Sequence, residues 1–294
     1  MKKLSGVITA IVTPFNENGK VDIAALKKFV QFQLENDISG IVPCGSTGEA
    51  MTLDTDEYEL VIKTVVTEVK KKIPVIAGAG SNDTVRAIAF SKIAKKAGAD
   101  ALLHVSPYYN KPTPSGLLAH YKSIANAVDM PIVLYNVPGR TGSNVTAETA
   151  LTIAKKVEHV IAVKEASGNI NQMMDIVKGA PSYFSVLSGD DAMALPLIAV
   201  GGSGCISVVA NEVPKEFSDM LRYALDGNFE KAKAMHYKLL DLMNVNFIES
   251  NPIPVKTALS LMGKIEEVFR LPLTKMSEKN KEVLIGVLKD GGWL

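Results

Sequence analysis

Along the chain, short runs rich in β-branched and other apolar residues alternate with longer segments whose apolar positions recur at helical spacing. Eight short runs read as strands: Gly6 to Val12, Gly40 to Cys44, Ile73 to Ala77, Ala101 to Val105, Pro131 to Asn136, Val160 to Lys164, Phe184 to Leu187 and Gly204 to Val209. Between them, Asp22 to Leu34, Thr55 to Val69, Asp83 to Ala97, Ser115 to Val128 and Thr146 to Lys156 carry the period of amphipathic helices. Strand then helix, repeated roughly every 20 to 35 residues, predicts a parallel sheet with helical crossovers. Eight such units predict closure into a (β/α)8 barrel. An open doubly wound sheet is the structural alternative, but the first strand-to-helix turn has no Gly-x-Gly-x-x-Gly pattern.

From Glu212 onward the pattern is helical only, with segments at Pro214 to Leu225, Phe229 to Phe247, Val255 to Met262 and Glu278 to Leu288. That is more helix than one crossover needs. The chain therefore reads as a barrel over residues 1–225 with a C-terminal helical extension over 226–294 packed on it. Asn251-Pro252-Ile253-Pro254 and Leu271-Pro272-Leu273 are the breaks between its helices.

At 294 residues and 47% hydrophobic, the chain can bury a core of that size. A net charge of +1 and a pI near 7.7 give no attraction for a polyanion, and no basic tract exceeds Lys70-Lys71-Lys72, so nucleic acid is not an expected partner. Met1-Lys2-Lys3-Leu4 lacks the apolar stretch of a signal peptide, and no apolar run approaches the roughly 20 residues of a membrane span. A cytoplasmic, membrane-free protein is expected. Cys44 and Cys205 sit in apolar strand contexts without metal-ligand spacing, which predicts buried free thiols and no metal site.

Lys164 breaks the apolar run Val160-Ile161-Ala162-Val163. A buried lysine is depressed in pKa, paired with an acid, or used as a neutral amine nucleophile. Schiff-base chemistry is the third case; the other reading is a strand-end lysine that snorkels to solvent or pairs with Glu165. In a barrel the strand ends open on one face, and further polar groups gather there. Gly45-Ser46-Thr47-Gly48 offers hydroxyls and backbone amides that can converge on a carboxylate, although such a stretch is also an ordinary turn. Tyr135 closes the run Ile132-Val133-Leu134, so its phenol either reaches the mouth or is a satisfied core hydroxyl. Arg140, in the loop Pro138-Gly139-Arg140-Thr141-Gly142, can grip a carboxylate bidentately or stand solvated. Tyr108 and Tyr109 are adjacent, so only one serves this mouth and the other is free for a subunit contact. Asp190 and Asp191 read as helix N-caps, and His104, His120, His159 and His236 share no register that would make them catalytic.

These motifs, in this order, resemble the dihydrodipicolinate synthase and N-acetylneuraminate lyase superfamily of class I aldolases, most closely its dihydrodipicolinate synthase branch. The likeness runs from Thr9-Ala10-Ile11-Val12-Thr13-Pro14-Phe15 to Asn251-Pro252-Ile253-Pro254-Val255-Lys256. The resemblance implies that Lys164 forms an imine with pyruvate and that its enamine attacks L-aspartate 4-semialdehyde, without cofactor or metal, in an early step of diaminopimelate and lysine biosynthesis. Tyr135 would shuttle protons through Ser46 and a Tyr109 lent by a neighbouring subunit. Thr47 and the backbone around Ile206 would hold pyruvate, Gly189 would line the pocket, and Arg140 would hold the semialdehyde carboxylate. A dimer, paired into a tetramer, would then be the active unit.

Two positions depart from the synthase pattern. Ser46 stands where synthases usually carry threonine, a form common among sugar-acid aldolases such as neuraminate or 2-keto-3-deoxygluconate lyases. A sugar-acid aldolase is therefore the alternative, and a catalytically silent pyruvate- or amino-acid-binding paralogue the more distant one. Where lysine-inhibited members carry histidines and a glutamate, this chain has Thr55, Tyr58 and Arg86, and feedback by lysine is not expected.

Overall fold

The computed structural model describes residues 3–294; Met1 and Lys2, where the reading of a leaderless N-terminus begins, lie outside the described residues. Eight strands form one sheet: β1 (Gly6–Ala10), β2 (Gly40–Val42), β3 (Ile76–Gly78), β4 (Ala101–Val105), β5 (Ile132–Asn136), β6 (Val160–Glu165), β7 (Ser185–Ser188) and β8 (Gly204–Ser207). All paired neighbours are parallel, and β8 returns to lie beside β1. Between β2 and β3 closure rests on a bridge from Ile41 to Val75 and on Gly78 N–H donating to the Pro43 carbonyl at 2.9 Å. The expected (β/α)8 barrel is what forms.

Strands β1, β2, β3, β5 and β8 are shorter than their apolar runs, β4 matches its run and β6 extends one residue past it. Val208 and Val209, read as strand, belong to a 3-10 turn after β8, and Ile73 to Val75 precede β3. Helices α1 (Ile23–Leu34), α2 (Thr55–Val69), α3 (Thr84–Lys96), α4 (Pro114–Val128), α5 (Pro138–Thr141), α6 (Ala147–Lys156), α7 (Ile170–Gly179) and α8 (Ala194–Ala199) follow the first seven strands. Most begin where a short polar side chain accepts the orphan amides of the first turn, as Asp22, Asp83, Thr113 and Thr146 do; Asp54 and Glu57 form a full capping box. α9 (Pro214–Leu225) packs on β1. Helices α10 (Phe229–Val245), α11 (Ile253–Leu261) and α12 (Glu278–Asp290) then form the C-terminal helical part.

A side-chain period of two sorts each strand between two apolar layers. Ile8, Val42, Ile76, Leu103, Val133, Ala162, Leu187 and Ile206 fill the barrel interior, while Val7, Ile41, Leu102, Leu134 and Val163 pack under the helices. The same parity sends Tyr135 and Lys164 inward, and Asn136 and Glu165 outward. Both cysteines are free and buried.

The expectation for Asp190 and Asp191 needs correction. Neither side chain caps α8, whose N-cap is Met193. Asp191 is buried, and its Oδ2 accepts from Val208 N and Val209 N at 3.1 and 2.9 Å, so it caps the 3-10 turn after β8. That partner comes from the adjacent strand end, which spacing within the local segment does not reveal.

Two histidines are buried, His104 on β4 and His120 on α4. Ser91 Oγ donates to the Ala87 carbonyl, so it accepts from His104 Nε2 at 3.1 Å, and His104 Nδ1 has no partner among the described residues. Burial, aided by His120, pushes His104 down to about 3; burial pushes His120 down to about 4, with Asp83 opposing. Unfolding returns both toward about 6.5, so the folded state binds fewer protons below that value. Their contribution to stability is complete above pH 6.5 and is lost as pH falls toward 4. Urea unfolding should show stability falling by up to about 1.4 kcal/mol per pH unit for each histidine across that window, and His104→Gln should flatten the slope. An unchanged slope in the variant would reject the assignment.

Candidate active site

The C-terminal ends of the strands surround a cavity of about 630 Å³. Ser46, Thr47, Tyr135, Arg140, Lys164 and Gly189 all line it, brought together from four strand ends. Ile206 does not line it; its side chain is fully buried in the interior layer beneath. Tyr109 does not line it either and is 89% exposed, whereas Tyr108 faces the cavity.

Lys164 is 6% exposed and makes no hydrogen bond or ion pair among the described residues. Its Nζ lies 4.4 Å from the centroid of the Tyr135 ring, because Tyr135 and Lys164 are register partners on β5 and β6. Pairing with Glu165 is overturned. Glu165 faces the other way, and its carboxylate accepts from Asn136 Nδ2, Ser167 N and Gln172 Nε2 at 2.9, 2.7 and 3.1 Å. Asn136 Oδ1 in turn accepts from Val145 N at 2.9 Å. These donors satisfy a carboxylate that would be costly to bury bare, and they tie the loops after β5 and β6 together directly behind the Tyr135–Lys164 pair.

Gly189 is needed for a close approach. A Cβ there would stand 2.9 Å from Lys164 Cε and 2.7 Å from Ala166 Cβ. Gly189→Ala should therefore displace the lysine side chain and slow amine chemistry by roughly 10- to 100-fold, the kinetic equivalent of about 1–3 kcal/mol of overpacking. The check is the rate of reductive trapping with a keto acid, measured on folded protein; an unchanged rate would show that Lys164 reacts from another rotamer.

In the β2 turn, Gly48 N and Ala50 N donate to the Gly45 carbonyl and Glu49 N donates to the Ser46 carbonyl. The amides left to face an anion are thus those of Gly45, Ser46 and Thr47, which have no acceptor among the described residues. Ser46 is exposed at the rim and Thr47 is buried. Thr47 Oγ1 accepts from Asn251 Nδ2 at 2.9 Å, and Arg140 Nη2 donates to the Asn251 carbonyl at 2.9 Å. The Pro-Gly-Arg-Thr stretch expected as loop is the single helical turn α5, which lifts Arg140 to the rim.

One residue further, Glu49 is buried against Lys256 of α11. Lys256 Nζ also donates to the Val268 carbonyl at 2.7 Å and stands 4.4 Å over the Phe15 ring. Burial lowers the Lys256 pKa, with Glu49 opposing. Arg270 binds the Glu57 carboxylate and donates to the carbonyls of Gly19 and Thr52, both at 2.8 Å. The C-terminal part thereby grips the turn that carries Ser46 and Thr47. The sequence reading takes Asn251 to Pro254 as a helix break and as the end of the family likeness, and gives Asn251 and Lys256 no role of their own; their one local signal is polarity beside or inside apolar runs.

Neighbours among known proteins agree with this geometry. The chain is 51% identical over 287 residues to the 4-hydroxy-tetrahydrodipicolinate synthase of Methanocaldococcus jannaschii, covering 98% of each chain. It is 50% identical over 287 residues to that of Maridesulfovibrio salexigens, again covering 98% of each. The crystal structure of a dihydrodipicolinate synthase from Thermotoga maritima superposes with a TM-score of 0.97 at 47% identity, over 99% of this chain and 100% of that one. Residues 3–290 match the model of the dihydrodipicolinate synthetase family. With the whole barrel, the inward lysine and the cavity above it accounted for, the chain belongs to the dihydrodipicolinate synthetase family.

Proposed function

We infer that this protein condenses pyruvate with L-aspartate 4-semialdehyde through an imine at Lys164 to give 4-hydroxy-tetrahydrodipicolinate, a lyase of the class I aldolase type serving lysine and diaminopimelate biosynthesis. The observation that carries the reading is the unpaired, nearly buried Lys164 amine held over Tyr135 at the floor of the cavity. In this reading the amine adds to the keto carbon of pyruvate, and loss of water leaves an imine. Loss of a methyl proton then gives an enamine whose carbon attacks the aldehyde. Tyr135 lies beside both proton-transfer steps, and its phenol can give and take the proton. Thr47 with the free amides of Ser46 and Thr47 offers donors for the pyruvate carboxylate, and Arg140 at the rim offers a bidentate fork for the second substrate.

Ser46 and Tyr109 complete the proton relay in this reading. Tyr109 supports a role outside its own chain: it is 89% exposed and held at φ 72°, a conformation costly for an aromatic residue. A homo-oligomer in which Tyr109 reaches the mouth of a second copy follows, with a pair of chains as the active unit and a tetramer as its further assembly. Cytoplasmic localisation accords with this chemistry, and no helix among the described residues is long and apolar enough to cross a membrane.

The test is turnover of pyruvate with L-aspartate 4-semialdehyde beside parallel reactions with N-acetylmannosamine and glyceraldehyde. Faster condensation with the semialdehyde is expected; preference for a sugar aldehyde would reassign the chain to sugar-acid cleavage, with Ser46 as the truer guide. Lysine at millimolar concentration should leave the rate unchanged. Tyr58 is buried with its hydroxyl donating to the Gly78 carbonyl at 2.8 Å, and the exposed Arg86 adds a positive charge that repels an ammonium. A lysine inhibition curve below that range would sink this expectation.

A further inference from the structure

Thr47 Oγ1 has one hydrogen to give and lone pairs to fill, and Asn251 Nδ2 fills one of them at 2.9 Å. The Thr47 hydroxyl hydrogen has no acceptor among the described residues, although Thr47 lines the cavity. The reverse amide orientation would send that hydrogen to Asn251 Oδ1 and bury an NH2 group with two unmet donors. The arrangement observed leaves the acceptor Asn251 Oδ1 and one amide hydrogen unmet instead of two amide hydrogens, and an unmet carbonyl acceptor is the cheaper loss. We propose that Asn251 is a positioning residue for pyruvate: by donating to Thr47 Oγ1 it turns the threonine hydroxyl hydrogen into the cavity, where it joins the free amides of Ser46 and Thr47 as the donor set for the substrate carboxylate.

The proposal rests on the reading that this cavity takes pyruvate, and it adds how the C-terminal part prepares the site. No cation is needed to hold the carboxylate if three donors converge on it, and only the hydroxyl among them could turn elsewhere. Asn251 removes that freedom before the substrate arrives. Its side chain serves Thr47 while its backbone carbonyl serves Arg140, so truncating the side chain keeps the acceptor used by Arg140. The two substrates should therefore respond differently to one substitution.

The experiment titrates pyruvate in the presence of borohydride and counts the reduced adduct by mass, without any aldehyde. Asn251→Ala should raise the half-saturating pyruvate concentration by about tenfold, the equivalent of one hydrogen bond of about 1.4 kcal/mol. Thr47→Val should raise it similarly, and the double variant should be little worse than either, because both remove the same donor. In full turnover the KM for the semialdehyde should move much less than that for pyruvate. Asn251→Asp serves where truncation unfolds the chain: it accepts rather than donates, draws the threonine hydrogen onto itself and should weaken pyruvate by at least the same factor. Unchanged half-saturation in either Asn251 variant, or simple additivity with Thr47→Val, overturns the proposal. Absence of any adduct in the unmodified protein would instead overturn the pyruvate reading itself.

Discussion

Replacing Lys164 by alanine abolishes the borohydride-reducible pyruvate adduct and lowers turnover by on the order of a thousandfold or more, since among the described residues no other lysine lines the cavity. The fold should survive intact. Lys164 has no hydrogen bond or ion pair among the described residues, so alanine leaves no partner stranded and removes an amine that burial disfavours. The thermal midpoint of the variant is therefore expected at or above that of the parent. Mass spectrometry after reduction, turnover and thermal unfolding on one preparation separate the chemical loss from a folding defect. A reduced adduct still formed at one position in Lys164→Ala would show that the nucleophile is another residue.

Lys256→Met has the opposite signature. Lys256 and Glu49 are both fully buried and paired, and the ammonium also satisfies the Val268 carbonyl. Methionine fills the space but strands the Glu49 carboxylate, and breaking one side of a buried pair costs about 3–5 kcal/mol. Denaturant unfolding should show a loss of that size, which is a large share of the roughly 5–15 kcal/mol typical of folded domains. Replacing Glu49 by methionine as well should recover much of the loss, because two apolar side chains leave no buried charge. A single variant as stable as the parent would mean that water reaches Glu49 and that the C-terminal part grips the turn less tightly than the geometry implies.

Pyruvate affinity should also weaken in Lys256→Met. Glu49 follows Gly48 directly, its backbone amide donates to the Ser46 carbonyl, and its Oε2 accepts from Arg270 N at 3.2 Å. Loosening Glu49 frees the turn that presents Ser46 and Thr47. The same variant thus reads out stability and substrate positioning together, while Lys164→Ala reads out chemistry alone.

Much of the site is legible locally. The apolar runs mark the strands, and their period of two decides that Lys164 and Tyr135 share a face while Glu165 takes the other. Since parallel barrels open at the C-terminal strand ends, Ser46, Thr47, Arg140 and Gly189 could be assembled from loop positions alone, and the cavity does bring them together. Legibility ended where a polar group's partner lies on another element. Asp191 reads locally as a helix cap, but its oxygens serve amides after β8. Glu165 stands next to Lys164 in the chain, yet Asn136 and Gln172 hold it.

The eight strand–helix units, the face each strand side chain takes and the chemistry collected at the strand ends all follow from spacing along a few consecutive residues. What holds those groups in place comes from contacts far apart in the chain. Asn251 meets Thr47 across 204 residues and Lys256 meets Glu49 across 207. Such pairs exist only where the closed barrel and the C-terminal part meet over the mouth. Burial then makes each partner obligatory, because a polar group removed from water must find its hydrogen bond wherever the closed chain brings one.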